Sequence, residues 1–285
     1  MKKASVWLLV LSALLSACAS SHSGQPAGVV QPAAVTTGYS VQKELTYTPE
    51  DWPQQLQADV YIPDGEGVFP GVLMVHGGGW VTGDRSIMSQ PSERLARRGY
   101  VVANIDYRLA PRFHHPAQME DLRAALRWMR ANAARFKLMP DRIGAWGYSA
   151  GAHLVALLAT DGEGPATNVK AVVAGGLPSN LNDFPNGPLV LALMGTTRDA
   201  DPVAWAQASP YSLASAGAAP MFIYHGTWDT TVRVGQAEKM NAALLAAGAP
   251  VELYLLHGYG HNTTFLFGFS AEQEATDFLD RYLRR

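Results

Sequence analysis

The chain has 285 residues, 48% of them hydrophobic and 16% charged, with a formal net charge of -2. That length suits one large α/β domain. A near-neutral balance without a basic run gives no sign of a nucleic-acid partner, and a single cysteine excludes an intramolecular disulfide.

The amino terminus reads as a targeting segment. Lys2 and Lys3 form a positive region, and Val6 to Leu15 form an apolar stretch of signal-peptide length, too short for a comfortable transmembrane helix. The stretch ends in Leu15-Ser16-Ala17-Cys18, which resembles the bacterial lipobox, where the cysteine is lipidated and becomes the new amino terminus. The plainer alternative is an ordinary secretory signal with Cys18 incidental. Acyl chains on Cys18 would anchor the protein to a membrane without spanning it. Ala19 after the cysteine, in a Gram-negative source, points to the outer membrane. Residues 18–38 are rich in Ser, Gly, Pro and Ala and read as a flexible tether, so the folded domain is expected over 39–285.

Strands are expected at Val41–Thr48, Gln57–Ile62, Gly71–Val75, Val101–Asp106, Arg142–Trp146, Val169–Ala174, Met221–Tyr224 and Val251–Leu256. Helices are expected at Pro91–Arg98, Pro116–Arg135, Ala150–Thr160, Gly235–Ala247 and Ala271–Arg284. The first two strands alternate polar and apolar residues, as an antiparallel edge does; the later ones are continuous apolar runs, as buried parallel strands are. The alternation of strand and helix implies a doubly wound, mostly parallel sheet of eight strands with helices on both faces. Residues 175–219 lack a clear period and read as a small cap-like insertion over the carboxyl ends of the strands, where substrate binds in such sheets.

Gly147-Tyr148-Ser149-Ala150-Gly151 fits G-x-S-x-G between an expected strand and an expected helix, the turn that exposes a nucleophilic serine. An exposed serine needs a base, and the base needs an orienting carboxylate. Past the strand Met221–Tyr224 the chain offers Asp229, and past Val251–Leu256 it offers His257 and His261. His261 is favoured as the base because it lies deeper in the glycine-rich loop, before the final helix. His257 is then a packed loop histidine, and His225 a structural residue holding the loop that carries Asp229. A tetrahedral intermediate also needs N–H donors. His76-Gly77-Gly78-Gly79-Trp80 follows a strand and matches the HGGG motif that supplies them, giving Gly78, Gly79 and Ala150 as the expected oxyanion donors, with Gly77 a possible substitute. A phosphate cradle is the competing reading of the glycine run, but neither G-x-x-x-x-G-K-[ST] nor G-x-G-x-x-G is present.

With these motifs in place, the chain resembles the α/β-hydrolase superfamily, and within it the hormone-sensitive-lipase-like esterases and bacterial carboxylesterases of the feruloyl and acetyl-xylan type. The resemblance rests on His76–Trp80 with Gly83-Asp84, on Asp106–Pro111 followed by Pro116-Ala117 and Asp121, on Gly147–Gly151, and on Ser209-Pro210-Tyr211 through His225–Val232 to His261. It implies a serine ester hydrolase needing no metal or other cofactor, acting on a small-molecule or glycan ester, with Asp106 and Arg108 bracing the glycine loop. Arg233 departs from the pattern, since many relatives carry proline there. The short insertion favours short acyl chains or an ester on a larger, partly exposed molecule. Two rivals remain at this stage: a peptidase or amidase on the same fold, and a non-catalytic envelope lipoprotein.

Overall fold

The computed structural model describes residues 20–25, 36–161 and 164–284, so the signal-like segment and Cys18 lie outside the described residues. All eight expected strands are present as β2 (Tyr39–Thr46), β3 (Gln57–Pro63), β4 (Phe69–Val75), β5 (Val101–Ile105), β6 (Leu138–Tyr148), β7 (Val172–Gly175), β8 (Met221–Gly226) and β9 (Val251–Leu256). They lie in one sheet in the order β1-β9-β8-β7-β6-β4-β5-β3-β2, where β1 is Ser20–Ser23. Strands β5, β4, β6, β7, β8 and β9 run parallel, while β2 and β3 close one edge antiparallel.

Strand β1 corrects the expected tether and the count of eight. It pairs antiparallel with β9, Ser20 opposite Leu256 and Ser23 opposite Leu253. Ser-Ser-His-Ser carries no apolar alternation, so nothing local marks it as a strand; its partners come from 230 residues away. The alternation expected of the first two strands also holds only at the true edge. β3 is buried throughout its last six positions because both its faces are packed, Ala58, Val60 and Ile62 in one core and Tyr61 in the other, and its one charged residue, Asp59, faces Arg85 across 3.0 Å.

The long helices are α1 (Ser89–Arg97), α2 (Ala117–Ala131), α3 (Ala150–Thr160), α7 (Gly235–Ala247) and α9 (Phe269–Leu283), with short helices α4 (Gly164–Thr167), α5 (Pro188–Met194), α6 (Pro202–Gln207) and α8 (His261–Phe267) between them. Helix α2 stops four residues before the expected Arg135, where the Asn132 side chain takes the Trp128 carbonyl and the chain turns. Alternate residues of each strand feed two cores. Leu73, Val75, Ala103 and Ile105 pack with α2 and α3 on one face, and Val72, Met74, Trp146 and Phe222 pack with α1 and α9 on the other. Helix α3 is buried at all eleven positions, which explains why it is apolar all round. The insertion is not structureless: it contains α5 and α6, and Trp205 of α6 is fully buried.

Candidate active site

Ser149 sits at the turn between β6 and α3 with φ 54° and ψ -118°, a strained conformation for a residue with a Cβ. Neighbouring glycines make the turn possible. A Cβ on Gly147 would lie 2.3 Å from the Gly151 carbonyl carbon, and one on Gly151 would lie 2.2 Å from the Val75 carbonyl oxygen. The serine amide donates to the Gly175 carbonyl at 2.8 Å, which fixes the elbow to the neighbouring strand.

The structure brings the three sequence-predicted residues together. His261 Nε2 lies 2.9 Å from Ser149 Oγ, and its Nδ1 lies 2.6 Å from Asp229 Oδ2. A carboxylate only accepts, so Nδ1 carries the proton and Nε2 presents its lone pair to the serine hydroxyl. Asp229 is buried; its Oδ1 accepts the amides of Thr231 at 2.9 Å and Val232 at 2.8 Å. Burial alone would raise its pKa, but hydrogen bonds from His225, His261 and Val232 outweigh it and hold the carboxyl well below the usual carboxylate range.

His225 is fully buried, with Nε2 2.7 Å from the Val232 carbonyl and 3.3 Å from Asp229 Oδ2. Both neighbours are acceptors, so Nε2 carries a proton shared between them. The residue closes the Asp229 loop, as the sequence suggests. His257 is exposed rather than packed, and His261 opens α8 rather than lying in the glycine-rich loop, with Gly260 preceding the helix.

The loop Gly77–Gly79 runs directly over the elbow. A Cβ on Gly77 would come within 3.3 Å of Ser149 Cβ, and Gly78 (φ 118°) and Gly79 (φ 59°) adopt backbone angles that favour glycine. Ala150 is the first residue of α3, where amides have no intrahelical acceptor. Asp106 braces this region through Arg85, accepting its amide at 2.9 Å and its guanidinium, while the Asn104 side chain donates to the Arg85 carbonyl at 2.7 Å. Arg108 does something else. It is buried against Asp121 at 2.8 Å and donates to the Ala117 carbonyl, so it ties its own loop to α2 rather than to the glycines. Arg233 is exposed beyond the Asp229 loop.

Sequence reasoning passed over Arg85 and Tyr148. The Tyr148 hydroxyl donates to the His261 carbonyl at 2.6 Å, and its ring centroid lies 5.2 Å from the imidazole, so the variable position of G-x-S-x-G holds the histidine in place. No local pattern signals that contact.

Two cavities meet at Ser149. One, of about 290 Å³, is lined by His261, Asn262 and Phe265 with Gly77–Gly79, Ile87 and Leu189. The other, of about 170 Å³, lies on the Ala150 side and is lined by Trp80, Pro178, Phe184, Leu189 and Val190. Phe184, Leu189 and Val190 come from the insertion, which thus forms a wall of the site. Among the described residues no group of three or more His, Cys, Asp or Glu side chains is placed to hold a metal ion.

The pattern that defines the BD-FAE family matches residues 58–244, more than half of the chain and inclusive of the glycine loop, Ser149 and Asp229. The chain belongs to the BD-FAE family. The esterase LipC of Mycobacterium tuberculosis is 33% identical over 222 residues, which cover 70% of this chain and 54% of LipC. The chain thus spans about half the length of the curated relatives it matches. Esterase 2 of Thermogutta terrifontis, solved with butyrate bound, superposes with a TM-score of 0.71 at 26% identity, covering 86% of this chain and 94% of that one. A truncated carbohydrate esterase from gut microbiota superposes with a TM-score of 0.78 at 22% identity, covering 90% and 100%, and shows the α/β-hydrolase fold.

Proposed function

We propose that this BD-FAE family member is a serine carboxylic-ester hydrolase working through an acyl-enzyme. The carrying observation is the continuous chain Ser149–His261–Asp229 beneath the glycine loop. Ser149 Oγ attacks the ester carbonyl while His261 Nε2 takes its proton, and Asp229 steadies the imidazolium through Nδ1–H. The amides of Gly78, Gly79 and Ala150 receive the oxyanion. His261 then gives its proton to the leaving alcohol, and water, activated by the same nitrogen, releases the acid.

The two cavities take different halves of the ester. The leaving oxygen must lie within reach of His261, so the alcohol occupies the larger cavity that His261 lines. The acyl chain then lies in the smaller cavity beyond Ala150, which is apolar and has room for a short chain. Butyrate and propionate are bound in solved structures of the similar Thermogutta esterase, which supports the short-acyl reading. We further propose that Cys18 is lipidated and that the enzyme works at the bacterial cell envelope, on the strength of Leu15-Ser16-Ala17-Cys18 after an apolar stretch. Among the described residues no helix is long and apolar enough to cross a membrane.

A fluorophosphonate probe tests the chemistry. The expected result is one adduct, on Ser149, with hydrolysis of p-nitrophenyl butyrate lost on labelling. Folded protein that fails to label would make it a binding module, and faster cleavage of the matched anilide than of the ester would make it an amidase.

A further inference from the structure

Strand β1 fixes where the chain leaves the domain. It runs antiparallel to β9, so Ser20 lies opposite Leu256, at the carboxyl end of β9. That end is the rim that bears Ser149, Asp229 and His261. The strand is short, but its side chains hold it firmly. His22 Nε2 lies 3.0 Å from the buried carboxylate of Glu252, its ring packs edge-on against Phe222 and Tyr254, and the Tyr254 hydroxyl donates to Ser20 Oγ at 2.8 Å. Cys18 is two residues before Ser20, and two residues of chain reach at most about 7 Å. A lipid carried on Cys18 would therefore stand within that reach of Ser20 and of the active-site rim.

The same corner of the molecule exposes large apolar side chains, with the Arg94 guanidinium 5.5 Å from the Phe269 ring at its border. Leu256 is its hub: Ser20 pairs with it, its carbonyl accepts the Thr227 amide at 3.0 Å, and its side chain lies 3.6 Å from where a Cβ of Gly268 would stand. Beside Thr227 and Gly268 stand Trp228, Leu266, Phe267 and Phe269, which are 73%, 55%, 57% and 51% exposed. None of the four lines either cavity at Ser149, so substrate binding does not account for their exposure. Exposed apolar clusters of this kind mark interaction surfaces, and Trp and Phe favour the boundary between lipid and water.

We infer that the active-site rim lies against the phospholipid bilayer, with Trp228, Leu266, Phe267 and Phe269 seated at the headgroup–acyl boundary beside the acylated Cys18. This rests on the lipidation proposed above. A short anchor alone limits distance but not orientation; the apolar corner supplies the second contact that sets it. Helix α8 links surface to site, because His261, Asn262 and Phe265 line the alcohol cavity while Leu266 and Phe267 face outward. The substrate class that follows is an amphiphilic ester partitioned into the membrane surface.

The test uses the full chain, produced in a bacterial host that acylates lipoproteins and reconstituted in phosphatidylethanolamine–phosphatidylglycerol vesicles. A fluorophore is placed at Leu266→Cys or, as a control, at Val68→Cys, an equally apolar and exposed position before β4 at the opposite pole. Label at 266 should be quenched several-fold more by brominated lipid than label at 68, and several-fold less by aqueous iodide. Mass spectrometry of the amino-terminal peptide reports acylation separately. Equal quenching at both positions on acylated protein would overturn the docking while leaving the lipidation intact. Absence of the acyl mass would overturn the lipidation and the orientation with it.

Discussion

Trp80 donates its indole N–H to Nδ1 of His153 across 3.3 Å, and this contact joins the glycine loop to the helix behind Ser149. His153 Nε2 in turn lies 2.7 Å from the Ala208 carbonyl, so the neutral imidazole uses one nitrogen as acceptor and the other as donor. A second proton would set donor against donor inside a fully buried pocket. Burial accordingly pushes the His153 pKa down to about 3.

That shift has a direct consequence for stability. The unfolded chain takes the proton near the ordinary value of 6.5 while the folded chain resists it until about 3, so stability is complete above 6.5 and falls as pH drops through that window. At about pH 5 the loss from this group is about 2 kcal/mol. Urea unfolding of wild type should weaken between neutral pH and pH 5, with a contribution of similar size from His115, which burial lowers to about 4. His153→Asn should be less stable at neutral pH yet show a flatter pH dependence. An unchanged slope would rule His153 out as the titrating group.

The uneven legibility of the sequence has the same physical origin. β4, β5, β8 and β9 are buried on both faces, so their apolar runs announce them, and the glycines around Ser149 are demanded by backbone clashes that any such elbow must avoid. Ser149, Asp229 and His261 follow from chain order past legible strands. β1 was hidden because Ser20–Ser23 is polar and is held by Glu252 and Tyr254 rather than by its own hydrophobicity. Arg85 and Tyr148 are illegible in the sequence because what matters is what they touch, and the resemblance points Arg108 to the glycine loop although its partner is Asp121.

Gly151→Ala should be among the most damaging single-methyl changes in the chain. The new Cβ would meet the Val75 and His76 carbonyl oxygens at 2.2 and 2.6 Å, and backbone atoms in a central strand have nowhere to move. A loss of about 3 kcal/mol or more is expected, read as a lowered thermal midpoint. Gly235→Ala, where a Cβ meets nothing within 4 Å, is the control and should be close to neutral.

Asp229→Asn keeps the shape of the triad but reverses its hydrogen-bond logic. The amide accepts less well and allows the wrong His261 tautomer to face Ser149. A fall of about 10⁴-fold in kcat is expected, with KM little changed. Because the Asp229 carboxyl is held well below the usual range, the wild-type aspartate stays ionised through mildly acidic pH, so acid in that range does not convert it into a neutral mimic of the amide. Combining the change with Ser149→Ala should cost no more than Ser149→Ala alone if both act on one step.

Arg108→Met should destabilise through Asp121 rather than through catalysis. Asp121 is fully buried; the Arg108 Nε donates to both of its carboxylate oxygens, at 2.8 and 3.0 Å, while the Arg108 backbone amide adds a bond that the substitution leaves in place. Removing the guanidinium leaves a buried carboxylate without its cation, at a cost of about 3–5 kcal/mol. Adding Asp121→Asn should restore part of that stability, and the double-variant cycle in urea measures how much of the effect belongs to the pair.

Leu189 lines both cavities, and on the proposed acyl-enzyme reading it should set how long an acyl chain the site accepts. Its side chain lines both, stands 45% exposed at their junction, and lies close enough to Gly79 that a Cβ there would meet it at 2.8 Å. In wild type each added methylene should improve binding only until the small cavity is full. Burying one methylene is worth about 0.8 kcal/mol, or roughly fourfold in kcat/KM. Leu189→Ala removes the partition, so that gain should continue past butyrate to hexanoate and octanoate, while acetate hydrolysis stays near wild type. Measuring kcat/KM across p-nitrophenyl esters of graded length checks it. A parallel drop at every length would mean that Leu189 supports the glycine loop instead, whereas a shifted maximum places the acyl chain on the Ala150 side of Ser149.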